Sequence, residues 1–158
     1  MKLTSILFCA ALVLAGCASH PAPPVRVEKS RTFPASYDVV WNALVQEFSS
    51  GQFDVLQKDS GVVQLKRRIL VSGVVAVNQP GAYAVPPKIF LGVWSNLTVD
   101  VGFVVVRSGD SSTQVTVTCH FQAFEYNINK APFEWGSTGI LEEELLTRIS
   151  NRLERSPK

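Results

Sequence analysis

The sequence predicts an α+β domain: an antiparallel sheet of four to six strands with two amphipathic helices packed on one face. Three observations predict it. Near both ends of the body, apolar residues recur at spacings of three and four, the period of a helix with one buried side. Between them, apolar and polar residues alternate over long runs, the period of a half-buried strand. The 158 residues suffice for one such unit and fall short of a full catalytic barrel.

The first segment stands apart from that body. Lys2 precedes an apolar run from Ile6 to Ala15. That is about half the length a membrane-crossing helix needs, roughly 20 residues. With small residues behind it, the run has the form of a secretory signal over residues 1–16. Leu14-Ala15-Gly16-Cys17 then resembles the lipobox of bacterial lipoproteins. The resemblance implies that a diacylglycerol is joined to the Cys17 thiol and that Cys17 becomes the acylated first residue, anchoring the chain to a membrane. Ala18, not Asp, follows it. Under that family's sorting rule this favours the outer membrane, with the body on the periplasmic face. Residues 17–30 hold Pro21, Pro23 and Pro24 and read as a lipidated, extended tether. Residues 31–158 are left as a single domain.

The first helix is expected from about Ser36 to Ser49. Tyr37, Val40, Trp41, Leu44 and Phe48 form its stripe, with Asp38, Asn42 and Gln46 opposite and Gly51 just past its end. Phe53 to Gln57 then alternates as a strand, Lys58-Asp59-Ser60-Gly61 reads as a hairpin turn, and Val62 to Leu70 is the return strand. The pattern Tyr37-Asp38-x-x-Trp41, followed by Asp59-Ser60-Gly61-Val62-Val63, resembles small bacterial lipoproteins of the NlpB/BamC type. That resemblance covers residues 34–70 and the terminal helix, and implies a helix-grip-like sandwich.

Leu97 to Arg107 places Leu97, Val99, Val101, Phe103 and Val105 on one face. After the turn at 108–112, Val115, Val117, Cys119, Phe121 and Ala123 share one face and Thr116, Thr118, His120 and Gln122 the other. The last helix is expected from about Thr138 to Arg155, with Leu141, Leu145, Ile149 and Leu153 as its stripe. Glu142, Glu143 and Glu144 sit in its first turn and Arg148, Arg152 and Arg155 toward its end, an order that suits the helix dipole.

Chemistry-bearing residues are sparse. Cys119 and His120 are neighbours on a strand, so their side chains leave opposite faces and cannot form a dyad. With Cys9 in the signal and Cys17 acylated, Cys119 has no partner and is expected in the core. His20 lies in the tether, and no zinc-type spacing of His and Cys occurs. Gly136-Ser137-Thr138-Gly139 lacks a nucleophile-elbow spacing and a Walker lysine, and reads as a capped helix start. Neither an enzyme nor a cofactor is expected. With 18% charged residues and a net charge of +2, nucleic acid is not an expected partner either.

One stretch carries an unexplained bias. Between Arg68 and Asp100 the only charged residue is Lys88, amid many apolar side chains and the breaks Pro80-Gly81 and Pro86-Pro87. Two readings stand open. Val71–Val77 and Ala82–Val85 could form a hairpin tucked against the sheet. Alternatively, residues 72–96 offer an apolar surface to an envelope protein, a lipid or the membrane, with Tyr83, Phe90 and Trp94 as anchors. The function expected is that of a membrane-anchored, non-enzymatic binding or scaffold subunit of the bacterial envelope. The alternative is a carrier holding a small apolar ligand or lipid in a helix-gripped cavity.

Overall fold

The computed structural model describes residues 27–75, 83–89 and 91–155. The signal, Cys17, most of the tether, Phe90 and residues 76–82 lie outside them. The elements run β1 (Glu28–Phe33), α1 (Tyr37–Glu47), β2 (Phe53–Gln57), β3 (Val62–Leu65), β4 (Arg68–Val74), β5 (Ala84–Val85), β6 (Trp94–Gly109), β7 (Ser112–Glu125), β8 (Ala131–Ser137) and α2 (Ile140–Arg155).

The long β6–β7 hairpin is the axis, since its two alternating runs bury one face each. On the β6 flank, β3 pairs beside Gly102–Val104 and β4 takes over beside Ser95–Val99. On the β7 flank, β1 pairs beside Thr113–Thr118 and β8 beside Phe121–Glu125. Outside these, β2 pairs with β3 and β5 with β8. Every pairing is antiparallel.

Val99, Val101, Phe103 and Val105 of β6, with Val115, Val117, Cys119 and Phe121 of β7, are buried against the helices. Val40, Trp41, Leu44 and Phe48 meet them from α1, and Leu145, Leu146 and Ile149 from α2. Phe48 packs on Phe103 with ring centres 5.1 Å apart. Arg148 of α2 covers the other side of that contact, with its guanidinium 4.8 Å from the Phe48 ring and Nε 3.0 Å from Glu47. The two helices are thereby joined to each other as well as to the sheet.

The α+β class and both helices match the expectation, but eight strands stand where four to six were expected. Three differences contribute to the count. Residues 28–30 belong to β1, so the tether expected through residue 30 ends before Glu28. The expected strand Val62–Leu70 breaks at Lys66–Arg67, and its second half continues as β4. Ala131–Ser137, which shows no clear alternation, forms β8 because Glu125–Phe121 of β7 leave a flank open to pair with it. The hairpin between Val71–Val77 and Ala82–Val85 is not formed: β4 pairs with β6, and β5 pairs with β8 on the far flank.

Candidate functional site

At the end of β7 the inward-facing alternation continues one step past Ala123 and places a carboxylate, Glu125, in a fully buried position. A buried carboxylate is tolerated only where donors surround it. Here the donors are backbone amides. Oε1 accepts from the N–H of Val93 at 3.3 Å and of Asn127 at 2.8 Å. Oε2 accepts from Ile128 at 2.9 Å and from Asn129. Burial alone would raise the carboxyl's pKa; the four amides outweigh that and hold it at about 2.

Two loops are stitched together by this carboxylate. Tyr126 N–H donates to the Val93 carbonyl at 2.8 Å, and the Asn127 side-chain amide donates to the Leu91 carbonyl at 3.4 Å. The side chains the loops present outward are apolar: Leu91, Val93, Tyr126 and Ile128 are all exposed, Leu91 by 68% and Tyr126 by 67%. The left-handed backbone of Leu91, Asn96 and Lys130, at φ 58°, 53° and 49°, falls in and around the same loops. Such residues persist only where their surroundings over-determine them. Beside the tip, β4 adds exposed Ile69, Val71 and Val74. Asn96 ties the end of β4 in, accepting the Gly73 N–H on its side-chain oxygen at 3.0 Å. The result is a held, apolar, solvent-facing surface at one end of the sheet.

The expected anchor residues are placed differently. Trp94 is 3% exposed, edge-on to Trp135 at 5.3 Å and to Phe133 at 5.8 Å, because its position opposite Glu125 turns it toward the helix side. It is a core residue, which corrects the expectation of a surface anchor. Tyr83 is half-buried: its hydroxyl donates to Glu144 at 3.0 Å and its carbonyl accepts from Thr138 N–H and Oγ1. That hydroxyl's pKa is raised, chiefly by the bond to Glu144. Tyr83 thus fastens its segment to the start of α2. Phe90 and Cys17 lie outside the described residues. Residues 91–93 do lie within the segment singled out at 72–96. Glu125, Tyr126 and Ile128 were missed, although Glu125 continues the buried parity of β7 and an Asn-rich turn follows it.

Cys119 points into the core and His120 outward, as expected. Burial, then the neighbouring Glu142 carboxylate, pushes the Cys119 thiol's pKa up. Glu142 is itself fully buried and accepts from Ser137 Oγ at 2.6 Å, while that hydroxyl takes the Gly139 N–H at 3.0 Å and so satisfies a donor at the helix start. Glu143 pairs with Arg31. Among the described residues no group of three or more His, Cys, Asp or Glu could hold a metal ion. The surface of the described residues includes these clefts. One of about 620 Å³ lies beside the α2 start, lined by Lys29, Ile140, Glu143 and Arg148. Another, of about 640 Å³, lies over the β2–β3 turn, lined by Tyr37, Lys58, Ser60 and Arg107.

No protein-family description and no curated protein matches the sequence. Among solved structures the chain is similar to a TBP-like protein from Parabacteroides distasonis, at 9% identity and a TM-score of 0.46, covering 84% of this chain and 95% of that one. It is also similar to a DUF4468 family protein from Bacteroides ovatus, at 9% identity and a TM-score of 0.42, covering 84% and 88%.

Proposed function

We propose that this chain is a membrane-anchored periplasmic lipoprotein of the outer membrane, held by acylated Cys17, and that it acts as a non-enzymatic binding or scaffold subunit of the envelope. One observation carries the docking part: an exposed apolar surface, Leu91, Val93, Tyr126 and Ile128, is built on four backbone amides gathered by one buried carboxylate. A surface ordered before its partner arrives loses little freedom on binding, so its apolar area converts efficiently into affinity. The Leu14–Cys17 pattern supports the anchor. The partner class is an envelope protein, and the reading requires no cofactor.

The anchor is tested by metabolic lipid labelling, which Cys17→Ser should abolish; labelling that persists elsewhere overturns it. Docking is tested with a photo-crosslinking residue at Tyr126 or Leu91 in living cells. A discrete protein adduct is expected there and not from Asp54 on β2. Adducts with lipid alone would overturn the protein-docking reading.

A further inference from the structure

Four strands, β1, β2, β4 and β5, have a flank with no strand partner among the described residues. Open flanks invite unwanted pairing, and proteins blunt them with charges, prolines, bulges or short length. Three of these are blunted by charge, proline or shortness. β1 carries Glu28, Lys29 and Arg31. β2 carries Asp54 and a register shift between Phe53 and Val55. β5 is two residues long and runs into Pro86-Pro87. β4 carries register shifts too, between Ile69 and Val71 and between Val71 and Val74, but from Ile69 to its end at Val74 it has neither charge nor proline, and Ile69 and Val74 are 66% and 77% exposed.

We propose that β4 is a strand-addition site, where an extended segment of the partner protein pairs antiparallel with the open flank. The segment would carry apolar side chains at alternate positions and an acidic residue at the end that meets Arg68. The proposal rests on the binding-subunit reading and gives that partner's chemistry. Backbone donors and acceptors on an open flank are satisfied by another backbone, which a lipid tail does not offer. Charge sets the direction and the end residue. Lys66 and Arg68 have no acid partner among the described residues; Lys66 bonds the Gln52 amide oxygen, and the Arg68 guanidinium rests against Gly51. Arg67 between them is already taken by Asp100, at 2.6 Å and 2.9 Å. A second copy pairing antiparallel would lay its own uncharged Val74 end beside Arg68 and leave both cations unmatched. An acidic strand end matches them.

The test uses the lipidated chain in detergent and a synthetic peptide of alternating valine and threonine with glutamate at its amidated C-terminal end. Amide exchange of residues 69–74 should slow by about tenfold or more at saturating peptide. Arg68→Glu should shift the preference to a peptide ending in lysine. Equal slowing with a peptide N-methylated at alternate residues, or no slowing at 69–74 with any peptide, overturns the proposal. In cells, Val71→Lys and Ile69→Lys place charges at exposed positions and should remove the Tyr126 crosslink while thermal unfolding by circular dichroism stays unchanged. A crosslink that survives both variants overturns strand addition and leaves the binding-subunit reading standing. No protein crosslink even in the unmodified chain overturns that reading instead.

Discussion

Trp94→Ala separates the two roles open to that residue, core support and surface anchor. The ring is 3% exposed and meets Trp135 and Phe133 edge-on, at 5.3 Å and 5.8 Å. Truncating a buried tryptophan costs about 3–5 kcal/mol through lost transfer energy and the cavity left behind. Edge-to-face aromatic pairs add roughly 0.5–1.5 kcal/mol each beyond area. Two such pairs vanish together, so the expected loss lies at the top of the truncation range, about 4–5 kcal/mol. Against a total stability of about 5–15 kcal/mol this is about a quarter or more.

The assay is urea unfolding followed by far-ultraviolet circular dichroism, which does not depend on the fluorescence of the removed ring. The midpoint should fall sharply with the slope unchanged, and at roughly 3–5 °C per kcal/mol the melting temperature should drop by about 12–25 °C. Trp94→Phe should recover part of the loss. A change below about 1 kcal/mol would refute the reasoning, because the ring would then be dispensable to the core and free to serve a partner.

Three further outcomes are expected. Glu125 has a folded-state pKa depressed from 4.5 to about 2, so the stability it contributes is present above pH about 4.5 and is lost as pH falls toward 2; the urea-midpoint gap between the unmodified chain and Glu125→Gln should narrow across that window, and a gap constant with pH would count against the amide cradle. Gly61→Ala should lose more than about 2 kcal/mol, since a Cβ there stands 2.0 Å from the Val105 carbonyl oxygen at a φ of +69°; an unfolding midpoint within error of the unmodified chain would contradict that close approach. Cys119, buried and with its thiol pKa raised by burial and by Glu142, should resist Ellman's reagent at pH 8 in the folded chain carrying Cys9→Ser and Cys17→Ser and react fully in denaturant; reaction in the folded state would show the core open at that point.

Elements were legible where one physical signal dominated. The α1 stripe and the β6 and β7 alternations each bury one face, and those faces are the core found. β1 was illegible because two of its three helix-side positions, Lys29 and Arg31, are charged and only Phe33 is apolar, with Arg31 reaching the α2 glutamate Glu143 instead of filling an apolar layer. β8 was illegible because Pro132 and Gly136 interrupt it and its place is set by the open flank of β7, a long-range condition. Tip residues failed for a related reason: exposure of Tyr126 and Ile128 follows from where Glu125 gathers amides, and no local pattern encodes that gathering.

The charge-poor stretch between Arg68 and Asp100 first offers a choice between packed hairpin and exposed anchors, and the fold divides it residue by residue. Val75, Ala84, Trp94, Leu97 and Val99 enter the core, whereas Ile69, Val74, Leu91 and Val93 stay outside. The division tracks strand parity and the two bulges of the β4–β6 pairing, which turn neighbouring apolar side chains to opposite sides. An apolar surplus left outside by slack packing would sit on backbone free to rearrange. This one sits on left-handed residues and a fully satisfied buried carboxylate at one end of the sheet. Restraint of that kind adds nothing to a core the side chains do not enter, so its physical consequence is a surface whose shape is set before anything binds to it.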